Sequence, residues 1–213
     1  MAYFPFFVDI EGKHCLIVGG GNVAYRKVLV LKDYGPVIYV AAPQVIPELR
    51  QLMEEEGEKL IWMCRDFEES DLDQADFVVA GTSDELLNKR ISLLCKERKI
   101  PVNVVDDQEK CSFIFPALIK EGDITVGIST AGSAPSIAQY LKQKLKEVIP
   151  SGLGELARQL GSYRSMVKEE VDSSALRMSI FKEMAEEGIR QGGIFTREQA
   201  KELIERKLAE NEK

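Results

Sequence analysis

Three stretches of this chain hold residue types whose spacing could do chemistry. In LIVGGGNVAYRK (residues 16–27), Gly19, Gly21 and Ala24 follow an apolar run and open an amphipathic one. This is the GxGxxA form of the dinucleotide fingerprint. The first glycine permits a tight turn, the second lets a pyrophosphate approach the backbone, and a small third residue lets helix and strand pack closely. The unpaired N–H groups of the helix start would then face the phosphates. NVVDDQEKCSFIFP (103–116) is an apolar run that ends in two carboxylates, Asp106 and Asp107. Ligands of open α/β sheets bind beyond the carboxyl ends of the strands, so Asp106 could meet a substrate on the edge that carries the glycine loop. Turn chemistry, with the aspartate capping the next segment, explains the same residue equally well. Asp107 and Glu109 read as solvated. STAGSAPS (129–136) places Pro135 near the first position of a helix and Ser133 near its N-cap. Its small residues and N–H groups could cradle a carboxylate, and plain helix initiation accounts for them too.

Other chemistries find less support. No GxxxxGK[ST] phosphate loop occurs. The single histidine, His14, opens the first strand at the edge opposite these loops, which argues against a Ser-His-Asp arrangement. Cys15, Cys64, Cys95 and Cys111 are widely spaced without a CxxC pair, so they read as reduced thiols of a cytoplasmic protein with no metal site. A net charge of −7, from 35 acidic against 28 basic residues, argues against nucleic acid as a partner. The opening MAYFPFFVDIEGKH has no basic n-region, and no apolar stretch is long enough to span a membrane.

The elements that must position these residues show as an alternation. Short β-branched runs at 14–18, 37–41, 60–64, 76–81 and 102–105 are separated by amphipathic segments near 22–34, 44–57 and 84–98. Such alternation indicates βαβ units and a parallel, doubly wound sheet. The pattern changes around Phe113 to Pro116, where ITVGIS (124–129) is the next strand and leads into a helix. After Pro150 the chain reads as helices near 152–171, 173–188 and 196–210, the last opened by a capping box from Thr196 to Gln199. The expected organisation is an N-terminal Rossmann-like parallel sheet (1–113), a small α+β segment (114–150) and a helical C-terminal domain (151–213). Residues 1–113 hold 13 basic and 20 acidic side chains, 114–149 hold 4 and 3, and 150–213 hold 11 and 12, so an anionic ligand suits the later segments better.

Taken in order, GGGNVAYRKV, NVVDDQEKCSFIFPALI and ITVGISTAGSAPSIAQYL resemble the precorrin-2 dehydrogenase and sirohydrochlorin ferrochelatase family, the dehydrogenase and chelatase part of siroheme synthase. The likeness runs from FPFFVDIEGKHCLIVGGG to about residue 150. It implies a Rossmann domain, a middle segment through which two chains dimerise, and a helical tail. It also implies NAD as cofactor, a tetrapyrrole substrate, transient Fe2+, and oxidation of precorrin-2 to sirohydrochlorin with Asp106 as the proton acceptor. The cofactor contacts it implies are Gly19, Gly20, Gly21, Asn22, Val23, Ala24, Ala42, Pro43 and Thr82. The substrate contacts are Ser129, Thr130, Gly132, Ser133 and Lys120, with Lys142, Arg158 and Arg164 as further partners for the substrate's carboxylates.

The chain departs from the family pattern at one point, where Ala134 stands in place of the serine that usually precedes the loop proline. The acid that normally binds the ribose about 20 residues past the glycine loop is also missing, the sequence there being VIYVAAPQ. The motif alone therefore leaves NAD and NADP open. Alternatives to the bifunctional enzyme are a dehydrogenase without chelatase activity, a non-catalytic NAD-sensing Rossmann module, and a dehydrogenase of a small metabolite.

Overall fold

The computed structural model describes residues 3–211, and the chain divides into two compact units with the boundary between Phe115 and Pro116. In the first, strands β1 (His14–Val18), β2 (Val37–Ala41), β3 (Leu60–Met63), β4 (Phe77–Ala80) and β5 (Val102–Val104) form one sheet in the order β3-β2-β1-β4-β5. Every pairing is parallel. The strand order reverses between β1 and β4, the switch point at which such sheets hold ligands.

Helices cover both faces, and the two-residue period of a strand decides which side chains each face receives. Cys15, Ile17, Ile38, Val40, Phe77 and Val79 point to the face of α1 (Asn22–Leu31) and α2 (Pro47–Glu56), against Val28, Leu31, Leu49 and Leu52. Leu16, Val18, Val78, Ala80, Val102 and Val104 point the other way, to Ile91 and Cys95 of α3 (Glu85–Glu97). Each fully buried aliphatic side chain is worth about 1.5–3 kcal/mol, so both faces are strongly specified. After β5 the chain makes a short turn and returns along the sheet, where the Asn103 amide donates to the Phe113 carbonyl (3.1 Å) and Ser112 closes both backbone groups of Val102. This return packs Phe113 edge-on against Phe77 and beside Phe115.

The second unit opens with a hairpin, β6 (Ala117–Glu121) against β7 (Ile124–Ile128), turned at Gly122 with φ of +54°. Helix α4 (Pro135–Val148) follows. Helices α5 (Leu153–Ser162), α6 (Arg164–Glu170), α7 (Ser174–Arg190) and α8 (Arg197–Asn211) then enclose Leu156, Val167, Ile180, Met184, Phe195 and Ile204. Hairpin and helices are joined by close backbone approach. A Cβ on Gly154 would overlap the Glu121 carbonyl, and the Glu121 carboxylate accepts the Gly152 N–H at 3.0 Å.

The five parallel strands and the capping box match the sequence reading; Thr196 N–H donates to Gln199 Oε1 (2.8 Å) and Gln199 N–H to Thr196 Oγ1 (3.3 Å). Three features differ. Strand β6 was not expected, because ALIKE carries two charges and buries only Ile119. The single helix expected at 152–171 is two, broken at Tyr163, whose hydroxyl donates to the Phe195 carbonyl at 2.8 Å. Ser133 stands one residue before the N-cap of α4, which is Ala134, and the Ala134 N–H donates to Thr130 Oγ1 (3.2 Å) instead. Among the described residues no helix is long and apolar enough to cross a membrane.

Candidate active site

The glycine loop separates into positions the protein needs and one that it leaves open. Gly19 has φ of +118°, and a Cβ there would stand 2.6 Å from the Gly81 carbonyl oxygen; a Cβ on Gly20 would overlap the Gln44 carbonyl. These two are glycines for the sake of the fold. Gly21 is different, because it has φ of −91°, caps α1, and would bring a Cβ within 4 Å of nothing. Space kept free at a helix N-terminus with no acidic residue in its first turn suits a diphosphate, which the N–H groups of Asn22, Val23 and Ala24 would meet. Ala24 is buried and permits the close packing of α1 on the sheet.

The neighbouring strand ends are tied by side chains. After β2, the Trp62 indole N–H donates to the Ala42 carbonyl (2.9 Å) and the Ala42 N–H to the Met63 carbonyl (3.3 Å). Ala42 is buried and Pro43 exposed, so Pro43 presents the outer surface at this corner. After β4, the Thr82 hydroxyl lies 2.8 Å from Asn88 Oδ1 and accepts the Asp84 N–H, while the Asn88 amide donates to the Thr82 carbonyl (2.9 Å). Asn88, a buried polar residue of α3 that the sequence did not single out, thus fixes the loop that faces Gly19.

The two adjacent aspartates do different work. Asp107 was expected to be solvated, yet it is half-buried, caps the following turn through the Lys110 N–H (3.3 Å) and pairs with the Lys110 ammonium. That hydrogen bond holds its carboxyl below the usual range. Asp106 is exposed, has φ of +58° and makes no side-chain hydrogen bond among the described residues. Aspartate tolerates this left-handed conformation better than most side chains. The turn chemistry weighed for Asp106 thus belongs to Asp107, and Asp106 is left free at the strand's carboxyl end. Cys111 clasps the loop: its sulfur accepts the Val104 N–H (3.1 Å) and lies 3.2 Å from the carbonyls of Val104 and Asp107. Burial pushes this thiol's pKa up, so it serves as a neutral hydrogen-bonding group.

Gly19 to Ala24, Ala42, Pro43, Thr82 and Asp106 therefore share the carboxyl edge of one sheet. Ser129, Thr130, Gly132, Ser133 and Lys120 belong to the second unit. Ser129 Oγ accepts the Ala131 N–H (3.0 Å), which shapes the loop before α4. The hairpin register puts Lys120 opposite Thr125 near the turn, and Ser129 beyond Ile128 at the open end, so the two are not brought together. Among the described residues no group of three His, Cys, Asp or Glu side chains could hold a metal ion.

A parallel sheet with a glycine-rich turn into its first helix and an open diphosphate position defines a nucleotide-binding Rossmann protein. The chain belongs to the NAD(P)-binding family, whose model matches residues 6–117, more than half of it. It is 38% identical over 209 residues to the siroheme synthase of Thioalkalivibrio sulfidiphilus strain HL-EbGR7, covering 98% of this chain and 42% of that protein. With the siroheme synthase of Zymomonas mobilis it shares 41% over 171 residues, 80% of this chain and 36% of the relative. The chain thus spans about two-fifths of the curated relatives it matches. Among solved structures, "SirC, precorrin-2 dehydrogenase" superposes with a TM-score of 0.80 at 22% identity, covering 97% of this chain and all of that one. That likeness shows a shared fold, and the relatives agree with the resemblance read from the three motifs.

Proposed function

We propose that this chain oxidises precorrin-2 to sirohydrochlorin with NAD, in siroheme biosynthesis. The observation that carries the reading is an exposed aspartate in left-handed backbone at the end of β5, on the same sheet edge as an open glycine at the start of α1. The names of the similar proteins supply the substrate class.

Each oxidation removes a hydride and a proton from the macrocycle. NAD, when bound, supplies the hydride acceptor. Gly21 and the first N–H groups of α1 hold the diphosphate, while Thr82, fixed by Asn88, shapes the floor beside it. Asp106 takes the proton as a carboxylate general base, a role worth about 10²–10⁴-fold in rate. Its free oxygens and exposed position suit that task, whereas Asp107 is committed to Lys110. Fe2+ enters as a second substrate, met in passing by the same carboxylate. In the second unit, Ser129, Thr130, Gly132, Ser133 and Lys120 are the residues that the family resemblance assigns to the substrate's carboxylates.

In this reading the chain works as a cytoplasmic homodimer joined through residues 114–150. Ile137, Tyr140 and Leu141 of α4 are 41–61% exposed and Val148 is 69% exposed. They lie three, four and eleven residues along one helix face, a spacing that suits burial against a second copy. The test is an anaerobic spectrophotometric assay of precorrin-2 with NAD, followed by Fe2+ on the same preparation. Formation of NADH and sirohydrochlorin in equal amounts is expected. Binding of NAD without a change in the precorrin-2 spectrum would favour a sensing module instead.

A further inference from the structure

The segment before β1 carries an apolar surface that the Rossmann fold does not use. Phe4, Phe6, Phe7 and Val8 are 73–79% exposed within five consecutive residues. Single apolar side chains at a surface need no explanation, whereas a contiguous group of them marks a place of contact. The Phe4 and Phe6 rings stand together, with centroids 5.0 Å apart and planes tilted by 58°. Pro5 between them fixes its own φ and disfavours a helical backbone at Phe4, so the segment is stiff.

The segment is tied at both ends. At its start, the Tyr3 hydroxyl accepts the Gln108 side-chain amide at 3.2 Å, a contact across 105 residues of sequence. Gln108 lies in the turn after β5, two residues beyond Asp106. At its end, Ile10 packs against the core beneath α1, and the Gly12 N–H donates to the Gly35 carbonyl at 2.9 Å, ahead of β2. The segment thus runs as a strap from the carboxyl edge of the sheet to its amino edge. Its phenylalanines begin one residue past the tether at the Asp106 turn.

We propose that this strap is the apolar wall of the substrate site, with Phe4 and Phe6 receiving the face of the tetrapyrrole macrocycle beside Asp106. The inference rests on the proposed function, which supplies the ligand. Charge favours such a contact. Residues 1–113 hold 20 acidic against 13 basic side chains, a balance that opposes a polycarboxylate. Affinity on this side of the site therefore comes from the broad, conjugated face of the ring system, which stacks on aromatic side chains whatever the charge at its rim.

The test uses the full chain with sirohydrochlorin as probe, titrated by its own absorbance in the absence of metal. Replacing both Phe4 and Phe6 by alanine should raise the sirohydrochlorin dissociation constant about tenfold or more, the scale of an aromatic ring lost from a stack. The KM for precorrin-2 should rise in parallel. NAD affinity, the melting temperature and the oligomeric state should stay close to wild type, because the two rings are exposed and lie outside the core. Tryptophan at both positions should retain binding. Tyr3→Phe, which removes the tether, should weaken binding by a smaller factor, about threefold. Wild-type affinity for sirohydrochlorin in the double alanine variant would overturn the inference, and so would an unchanged affinity in Tyr3→Phe. A double variant that becomes monomeric in light scattering would overturn it too, by assigning the rings to a contact between copies of the chain. A wild-type chain that neither binds sirohydrochlorin nor oxidises precorrin-2 would instead sink the proposed function itself.

Discussion

Gly21→Ala separates a glycine kept for a ligand from a glycine kept for the fold. The new methyl group meets nothing within 4 Å, and φ of −91° is ordinary for alanine. Relief of backbone entropy favours the variant by about 0.4–1 kcal/mol, while alanine is a poorer N-cap than glycine by a similar amount. The melting temperature should therefore barely move. Nucleotide binding should suffer, because the methyl occupies the place where the diphosphate approaches the first N–H groups of α1. Hydrogen bonds to a charged group are worth about 1.5–3 kcal/mol each. Losing one or two of them amounts to about 3 kcal/mol, or ~100-fold in the NAD dissociation constant. Gly20→Ala is the control, since its Cβ would overlap the Gln44 carbonyl and should lower the melting temperature before any ligand is added. Titration calorimetry with NAD, paired with thermal melts of both variants, is the assay. Wild-type affinity in Gly21→Ala, or a fold as damaged as that of Gly20→Ala, would refute the reasoning.

Asp106→Asn should bind NAD normally and turn over precorrin-2 about a hundredfold more slowly or worse, the usual scale for loss of a general base; an unchanged turnover removes Asp106 from the mechanism. Replacing Ile137 and Leu141 of α4 by aspartate should turn the proposed dimer into monomers in light scattering, and a dimer that persists in the variant would move the interface elsewhere. Gly154→Ala should lower the melting temperature by displacing the hairpin from α5, because no rotamer change relieves a clash with the Glu121 backbone; an unaltered melt would show that the junction yields freely. The Asp107 carboxyl, held low by Lys110, contributes stability that is present above its unfolded-state pKa and lost as pH falls through the lower folded-state value. Asp107→Asn should flatten stability against pH in that acidic window, and an unchanged slope would show that the turn does not depend on the pair.

The sheet was readable because its strands are short apolar runs, rich in β-branched residues and separated by amphipathic helices, and because the glycine spacing fell where a strand meets a helix. Strand β6 escaped notice because Lys120 and Glu121 break its apolar pattern and only Ile119 is buried. The engagement of Asp107 by Lys110 was not readable, and Asp107 was expected to be solvated. The pairing depends on a turn that bends Lys110 back onto Asp107, and adjacent aspartates look alike until that geometry is known. The seat of the Lys27 ammonium over Phe115 was hidden for a different reason: the ring reaches it only because the chain turns back after β5, a contact across more than 80 residues of sequence. Asn88 and Trp62 gave no sign of their roles, since a buried amide and an indole are informative only once the carbonyls they hold are located.

The most direct test of the proposed function is a crystal structure of the chain with NAD and a tetrapyrrole bound. The Asp106 carboxylate should lie within hydrogen-bonding reach, directly or through one water, of the macrocycle carbon that loses its proton, with the nicotinamide ring at the same substrate edge. An Asp106 carboxylate pointing away from both ligands would contradict it.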